Sequence, residues 1–348
     1  MPTTMRALVK ASAAPGAELQ TIPVPEIGPR DVLVRVHTAS ICGTDLHIYE
    51  WDRWAQGRIH PPLPFGHEFC GHIERVGSEV EGLKAGQYVS ADMHVYCGHC
   101  FQCRSGEAHI CQSVRILGVD APGCFAEFVK IPAANIVPLA ESISTDYGAV
   151  LDPLGNAVHT VLAGPVAGRS VAVIGCGPIG LMAIAVARAC GAGPVLALEV
   201  NEFRRGLART MQADYVLDPA RDDAEAAARA HTQGGGVDAS LEFSGHPDAI
   251  RGALRLARPG GRVSLLGLPT RPVELDLSPE VIFKGLTLQG INGRRLFDTW
   301  HQMIGLLDSR RLALEPLFTA HLPLSQFKMG FERLQTGQAA KILLDPHA

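Results

Sequence analysis

Four cysteines lie close together in one short segment of the chain: Cys97, Cys100, Cys103 and Cys111. Their spacing allows four thiolates from one loop to close a tetrahedron around a zinc ion. Because no coordination position is then left for water, the pattern predicts a structural zinc site. A ferredoxin-type cluster begins with the same spacing, but its last cysteine follows after three residues and precedes a proline. Here the last cysteine is more distant and Gln112 follows it.

A second set of potential metal ligands is dispersed along the chain: Cys42, His67, Glu68 and Asp152. One thiolate, one imidazole and a carboxylate would bind zinc and leave a position for water or an alcohol, as in catalytic zinc sites. The spacing alone is a weak signal, because a lone histidine such as His67 is more often a core residue. The grouping gains weight only if the chain also binds a hydride acceptor.

A glycine-rich motif, Gly175-x-Gly177-x-x-Gly180, directly follows the apolar residues 171–174 and opens a helical pattern. The first glycine permits a tight turn, the second lets the backbone approach a pyrophosphate, and the third lets the helix lie close to the sheet. The pyrophosphate then contacts free N–H groups at the positive end of the helix dipole. The motif therefore predicts a dinucleotide-binding fold.

The cofactor preference is predicted from Glu199, at the end of the next apolar strand pattern. An acidic side chain at this distance from the glycine motif accepts hydrogen bonds from the ribose hydroxyls and repels a 2′-phosphate, which favours NAD over NADP. Arg204 and Arg205 lie close by and could hold a phosphate. The alternative is that they are solvated helix charges or that Arg204 covers the adenine face.

Thr44 and His47 follow Cys42 closely enough to transfer protons. A hydroxyl beside a metal-bound alcohol can pass its proton through the nucleotide ribose to an imidazole near the surface, which accepts it near physiological pH. The alternative is a helix-capping threonine and a surface histidine. The spacing after Cys42 favours the relay.

Two kinds of secondary structure are expected to position these residues. Before about residue 150, short β-type runs such as residues 31–37, 72–76 and 125–131 are separated by glycine and proline. From about residue 168, strand and helix patterns alternate, which predicts an α/β fold with a doubly wound parallel sheet. Six strands complete a dinucleotide fold, so the chain after residue 294 is expected to return to the first domain.

Composition excludes several classes of function. The chain has 348 residues, a formal net charge of -4 and 19% charged residues, and no basic stripe flanks the cysteine loop, so nucleic acid and acidic membranes are not expected partners. Glycines and Pro178 interrupt the most apolar run, residues 171–190, which is therefore expected to be buried in protein. The nine cysteines and the lack of an export signal predict reduced thiols and a cytoplasmic location.

The pattern Gly66-His67-Glu68-x2-Gly71-x5-Gly77-x2-Val80 resembles the zinc signature of the medium-chain alcohol dehydrogenases. The cysteine loop and the glycine motif follow in that family's order, so the resemblance covers almost the whole chain. Within the family, residues 42–49, 152–160 and 293–300 are similar to the bacterial members that oxidise L-threonine.

The resemblance implies a GroES-like catalytic domain at residues 1–155 with both zinc sites, a Rossmann NAD-binding domain at 156–294 and a return to the catalytic domain at 295–348. It implies two zinc ions per chain, NAD, a homotetramer, and oxidation of the β-hydroxyl carbon of L-threonine to give L-2-amino-3-oxobutanoate. It carries metal-ligand roles onto Cys42, His67 and Glu68, and relay roles onto Thr44 and His47. Cofactor contacts are carried onto Ile179, Glu199, Arg204, Leu266, Gly267, Leu268, Gly290 and Ile291.

Substrate contacts are expected from His94, as a polar contact to the amino acid, and from Asp152 and Asn156 on the metal side. In many relatives a carboxylate near the metal stands where Asp152 falls, but an aspartate is one methylene shorter than a glutamate. Two other functions remain open: a zinc polyol or 2,3-butanediol dehydrogenase on the same scaffold, and a non-catalytic zinc protein that binds a nucleotide. The presence of both Thr44 and His47 argues against the second.

Overall fold

The structure is a computed structural model that describes residues 2–348. Its strands, numbered in chain order, are β1 Thr4–Lys10, β2 Glu18–Pro23, β3 Asp31–Ser40, β4 Leu63–Pro64, β5 Phe69–Val76, β6 Tyr88–Ala91, β7 His94–Val95, β8 Arg115–Ile116, β9 Phe128–Pro132, β10 Ile136–Pro138, β11 Val171–Ile174, β12 Val195–Leu198, β13 Tyr215–Leu217, β14 Val237–Glu242, β15 Ala257–Leu265, β16 Thr287–Gly290, β17 Phe318–Pro323 and β18 Lys341–Asp345. Its α-helices are α1 Gly43–Glu50, α2 Arg53–Arg58, α3 Phe101–Arg104, α4 Thr145–Gly148, α5 Leu151–Leu162, α6 Pro178–Ala189, α7 Glu202–Thr210, α8 Ala224–Ala230, α9 Pro247–Leu256, α10 Asp298–Asp308 and α11 Phe327–Gln335.

The chain forms two compact units. The first contains the chain through Asp152 together with Phe318–Ala348, and the second contains Pro153–Leu317. Residues 295–317, which were expected to return to the first domain, therefore stay in the second unit. The physical reason is that the short helix Glu315–Leu317 packs against α7 of that unit before the chain leaves it.

The first unit is built around β3. A seven-stranded sheet has the order β10-β6-β5-β3-β18-β17 with β9 also paired to β3, and a smaller sheet has the order β2-β1-β4. Because β3 pairs with three strands, its apolar residues are buried and link both ends of the chain into one core. Residues 125–127 were expected to begin a strand, but β9 begins at Phe128. Ala126 forms only an isolated bridge with Ala7.

The second unit contains the predicted parallel sheet, with the strand order β13-β12-β11-β14-β15-β16. Every residue of β11 and of β12 is buried, as expected for parallel strands that are covered on both faces. The apolar run at residues 171–190 is a strand followed by α6, which is buried along most of its length. None of the described helices combines the length and the apolar character needed to cross a membrane.

Candidate functional site

The four cysteines of the loop converge as the sequence predicts. Their sulfur atoms lie within 4.8 Å of one another, with 3.4 Å between Cys100 and Cys103, 3.8 Å between Cys100 and Cys111, and 3.9 Å between Cys97 and Cys103. Zinc–sulfur bonds of about 2.3 Å in a tetrahedron require sulfur atoms about 3.8 Å apart. The loop therefore fits a zinc ion that is surrounded by thiolates alone.

Hydrogen bonds from backbone N–H groups stabilise negative charge on these sulfurs. The N–H groups of Cys97 and Ser113 donate to Cys111 Sγ, and that of Cys100 donates to Cys97 Sγ. The backbone N–H of Cys103, and then that of Gln112, lowers the pKa of the Cys100 thiol to about 6. A deprotonated thiol is the form that binds a metal.

The dispersed ligands also meet, in the core of the first unit. Ligand atoms of Cys42, His67 and Glu68 lie within 4.8 Å of one another. The sheet brings them together, because Cys42 follows β3, the two other ligands precede β5, and the Ser40 N–H donates to the Glu68 carbonyl at 3.0 Å. Gly66, at a φ of 91°, makes the turn before them. A Cβ atom at that position would lie 2.4 Å from the Phe125 ring.

Glu68 is held through one oxygen only. Its Oε2 accepts hydrogen bonds from the Ser40 hydroxyl and the Lys341 ammonium, and Lys341 also donates to the Ile41 carbonyl at 3.0 Å. Lys341 and Glu68 are both buried, so this ion pair joins β18 to the two segments that carry the ligands. The other oxygen, Oε1, is buried without a hydrogen-bond partner.

The polar atoms around His67 are buried without partners, as expected at a cation-binding site. His67 Nδ1 lies 3.4 Å from Asp45 Oδ1 without hydrogen-bond geometry, and neither atom has another partner. Burial lowers the pKa of His67, but the negative charges of Asp45 and Cys42 outweigh it and raise the pKa well above its usual value. The three unsatisfied atoms, on Asp45, His67 and Glu68, and the excess of negative charge fit a divalent metal ion.

Helix α1 carries the two predicted relay residues. It begins immediately after Cys42, whose N–H donates to Asp45 Oδ2 at 2.9 Å. Thr44 Oγ1 lies 3.9 Å from Cys42 Sγ, so its hydroxyl is beside the metal ligands. His47 lies one turn further along, with 56% of its side chain exposed. The helix thus presents a hydroxyl at the cluster and an imidazole at the surface.

The remaining substrate candidates lie in both units. In the first, Asp152 is buried in the first turn of α5, and His94, in β7, lies 3.3 Å from Asp92 through its Nδ1. In the second, Oδ1 of the partly exposed Asn156 lies 3.5 Å from Nη1 of the buried Arg294. Asp152 is not among the residues whose ligand atoms form the Cys42 cluster, which are Cys42, His67 and Glu68.

The glycine motif has the geometry that a dinucleotide needs. Gly175 has a φ of 87° and packs against Ser244, and a Cβ atom at Gly180 would lie 2.0 Å from the Gly175 carbonyl oxygen. Gly177, which precedes α6, has open space where its Cβ atom would be. The first and third glycines are therefore required by close packing. The second leaves the backbone accessible at the N-terminus of α6.

Glu199 lies at the end of β12 beside this turn. Its Oε2 accepts the Cys176 N–H at 2.8 Å and its Oε1 accepts the Asn201 N–H at 2.9 Å. Arg205 is held inside the unit by the carbonyls of Glu199 and Val200 and by an ion pair with Asp218. Arg204, in contrast, has a buried Nε atom without a partner.

The other predicted cofactor residues follow neighbouring strands at the same edge of the sheet. The carboxyl ends of parallel strands meet at one edge, where α/β folds bind nucleotides. Leu266, Gly267 and Leu268 follow β15, whereas Gly290 ends β16 and the N–H of Ile291 donates to the Leu265 carbonyl. Ile179 lies in the first turn of α6.

Comparison with known families and proteins matches this architecture. The family described as an alcohol dehydrogenase GroES-like domain matches residues 28–141, and the zinc-binding dehydrogenase family matches residues 178–309. L-threonine 3-dehydrogenase of Bacillus licheniformis is 49% identical over 99% of this chain and 100% of its own length. The chain belongs to the zinc-dependent alcohol dehydrogenases. Its predicted family, fold class, enzyme class and zinc chemistry are thereby confirmed.

Two further proteins are similar to this chain over nearly its full length. L-threonine 3-dehydrogenase of Symbiobacterium thermophilum is 50% identical over 99% of both chains. The solved structure of 2R,3R-butanediol dehydrogenase from Bacillus subtilis has a TM-score of 0.88 with 28% identity, over 98% of this chain and 99% of that one.

The sequence patterns did not identify several residues that the structure places at the site. Lys341 is 273 residues from its partner Glu68, and no pattern connects them. Asp45 stands inside the segment 42–49, but its type alone did not distinguish it from a helix-surface acid. Arg294 is 2% exposed and its guanidinium lies 6.0 Å from the Trp300 ring. Only its position in the segment 293–300 could have drawn attention to it.

Proposed function

We propose that this chain is an NAD-dependent L-threonine 3-dehydrogenase that oxidises the β-hydroxyl carbon of L-threonine to give L-2-amino-3-oxobutanoate. The observation that carries the proposal is the buried cluster that His67 and Glu68 form with the half-buried Cys42, in which His67 Nδ1 and Glu68 Oε1 lack hydrogen-bond partners. It occurs in a chain about half identical, over its full length, to proteins named for this activity.

The roles of the ligand residues follow from their donor atoms. Cys42 and His67 would hold the catalytic zinc, together with Glu68 through its free oxygen, and the four cysteines of the loop would hold a structural zinc. Bound zinc supplies a Lewis acid for the substrate hydroxyl, and NAD supplies the acceptor for the hydride. Asp152 is proposed as a further carboxylate on the metal side.

Proton removal is assigned to α1. Thr44 Oγ1, beside Cys42 Sγ, takes the proton of the substrate hydroxyl while donating its own proton onward. The ribose of bound NAD would carry that proton to His47, whose exposed imidazole would release it to solvent. Bound NAD would accept the hydride from the substrate carbon, so the alcohol would lose one hydride and one proton and become a ketone.

A preference for NAD is supported by Glu199. Its carboxylate lies at the end of β12, where it would meet the adenosine ribose and repel a 2′-phosphate. Because both of its oxygens also anchor backbone N–H groups, an alanine would disturb the glycine turn as well as the charge. Glu199→Gln removes the charge and keeps one of the two acceptors, so it disturbs the turn less than alanine does. We expect the ratio of kcat/KM with NADP to that with NAD to rise, and an unchanged ratio would contradict the role of Glu199.

The substrate assignment predicts polar partners for the amino and carboxylate groups. His94 and Asn156 are the proposed contacts. A site that pairs buried polar groups rejects analogues lacking them by large factors, so the preference should appear in kcat/KM. His94→Ala should raise KM for L-threonine more than it lowers kcat, provided that the contact is equally strong in the ground state and the transition state.

The decisive experiment is an initial-rate screen of L-threonine, 2,3-butanediol and sorbitol with NAD and NADP. L-Threonine with NAD should give the highest kcat/KM. Equal or better turnover of 2,3-butanediol would overturn the threonine assignment and favour the butanediol activity of a structural neighbour. An absence of reduced cofactor with all three alcohols would contradict both.

Self-association as a homotetramer in the cytoplasm is also proposed. Strand β16 ends its sheet, so one of its hydrogen-bonding edges is open. Exposed apolar side chains lie on and before it, with Leu288 at 40%, Ile282 at 65% and Phe283 at 82% exposure. Light scattering should give four times the chain mass of 37.1 kDa, and Phe283→Asp should reduce it. A monomeric mass for the unmutated protein would contradict the proposal.

A further inference from the structure

Asp52 lies between α1 and α2 and makes a separate bond with each of its oxygens. Oδ1 accepts the Ala55 N–H at 3.0 Å, which caps α2. Oδ2 lies 2.7 Å from Nδ1 of His47. The Asp52 N–H also points to the His47 carbonyl oxygen, at 3.4 Å, so that backbone and side chain both connect this residue to the last turn of α1.

The hydrogen bonds that the two Asp52 oxygens accept keep this carboxyl group ionised. Burial raises its pKa, but the N–H of Ala55, the His47 imidazole and the N–H of Trp54 together lower the pKa below its usual value. Asp52 is therefore an ionised carboxylate near neutral pH, and a carboxylate can only accept hydrogen bonds. A neutral His47 must then carry its proton on Nδ1, and the lone pair is on Nε2.

We propose that Asp52 is the positioning residue of the proton relay, because it fixes the tautomer and the ring orientation of His47 so that Nε2 accepts the proton. This inference rests on the relay role proposed above for His47. No other described side chain hydrogen-bonds to that ring, and the Trp54 ring lies 6.1 Å away between centroids. Without Asp52, the exposed ring would sample other rotamers and the other neutral tautomer.

A structural role alone would have different consequences. The His47–Asp52 pair is largely exposed, so it adds little to the free energy of unfolding. Helix capping needs only Oδ1, and serine caps a helix N-terminus about as well as aspartate. Asp52→Ser therefore retains an acceptor for the Ala55 N–H but is too short to reach His47. The capping function and the positioning function are thus separable by one substitution.

Asp223 provides a matched control. It caps α8 in the same way, with a carboxylate oxygen accepting the Ala226 N–H at 2.9 Å, and α8 carries none of the proposed site residues. Asp223→Ser should leave kcat unchanged. Asp52→Ser should lower kcat for L-threonine about tenfold with little change in KM for NAD, since general acid–base catalysis contributes about 10² to 10⁴. Asp52→Glu should recover much of that loss.

The experiment compares these variants with His47→Gln and with the double variant Asp52→Ser/His47→Gln. If Asp52 acts through His47, the double variant has the same kcat as His47→Gln alone. A tenfold loss in Asp52→Ser that adds in full to the loss in His47→Gln would overturn the proposal. An unchanged kcat in Asp52→Ser, together with a lowered kcat in His47→Gln, would also overturn the proposal. That outcome would leave the relay role of His47 standing. If Asp52→Ser unfolds below the assay temperature, Asp52→Asn replaces it with the same expected loss.

Failure of the underlying function gives a different result. If His47→Gln keeps the full kcat, the relay and the positioning role of Asp52 both fall, whereas the dehydrogenase assignment stands. If L-threonine is not the preferred alcohol, the same variants are measured with the best substrate of the screen. The expected ratios between them do not change.

Discussion

The two ligand clusters of this dehydrogenase are built in opposite ways. The four cysteines belong to one loop, residues 97–111, and backbone N–H groups of that loop and of Ser113 donate to their sulfurs. Cys42 follows β3 and Glu68 precedes β5, and the two residues meet because β3 and β5 pair. The oxygen of Glu68 that has a partner bonds to Lys341, which lies 273 residues away.

The difference shows that one site is formed by a single short segment, whereas the other is formed by segments that are distant in sequence. In the loop, short-range backbone geometry suffices to bring the sulfurs to the spacing of a zinc tetrahedron. In the buried cluster, the same spacing depends on sheet register and on an ion pair from β18. We therefore expect damage to the loop to reduce stability first, and damage to the buried cluster to reduce turnover first.

The strongest test of this comparison is to remove one ligand from each cluster. Cys42→Ser should lower kcat by at least about 10³-fold, because a Lewis acid supplies several kcal/mol of transition-state stabilisation. Its unfolding temperature should stay close to that of the unmutated protein. Cys100→Ser should instead lower the unfolding temperature and lose activity only as the protein unfolds. Steady-state rates, zinc content and thermal unfolding of both variants give the answer. The reverse pattern would refute the division of roles.

The same contrast explains what the sequence could predict. The cysteine loop and the glycine turn are continuous motifs, and both lie where their spacing places them. The alternation of strands and helices predicted the parallel sheet because each pattern is local. Lys341 was missed because its partner Glu68 depends on the order β5-β3-β18, which no single segment encodes. Asp52 was missed because a helix cap and a histidine partner have the same sequence signal.

A second prediction tests whether the buried cluster depends on β18. Lys341→Met leaves the Glu68 carboxylate buried without its cation, and breaking such a pair costs about 3–5 kcal/mol of the free energy of unfolding. The double variant Lys341→Met/Glu68→Gln removes both charges and should recover part of that loss. Urea unfolding of the two variants and the unmutated protein measures it. If Lys341→Met loses less than about 1 kcal/mol, β18 is not a structural part of the site.

The smallest expected effect is the pH dependence of stability at β3 and β5, the strands that position the buried ligands. His37 lies at a register shift between β3 and β5, and its Nε2 is 3.2 Å from Nδ1 of His72 in β5. Burial, and then the charges of His72, His347 and Arg35, lower the pKa of His37, while Asp345 opposes them. The unfolded chain thus binds this proton more readily than the folded chain does.

It follows that stability is lost as the pH falls below about 6.5, the ordinary value for histidine, towards the lower folded pKa. His37→Gln removes this proton site. Between pH 7.5 and 5.5 its unfolding temperature should fall less than that of the unmutated protein, by about 1–3 °C. His60→Gln, at an exposed position, should keep the full decrease and serves as the control. Equal decreases in all three proteins would mean that the β3–β5 pair, and with it the buried cluster, is no more sensitive to acid than the rest of the chain.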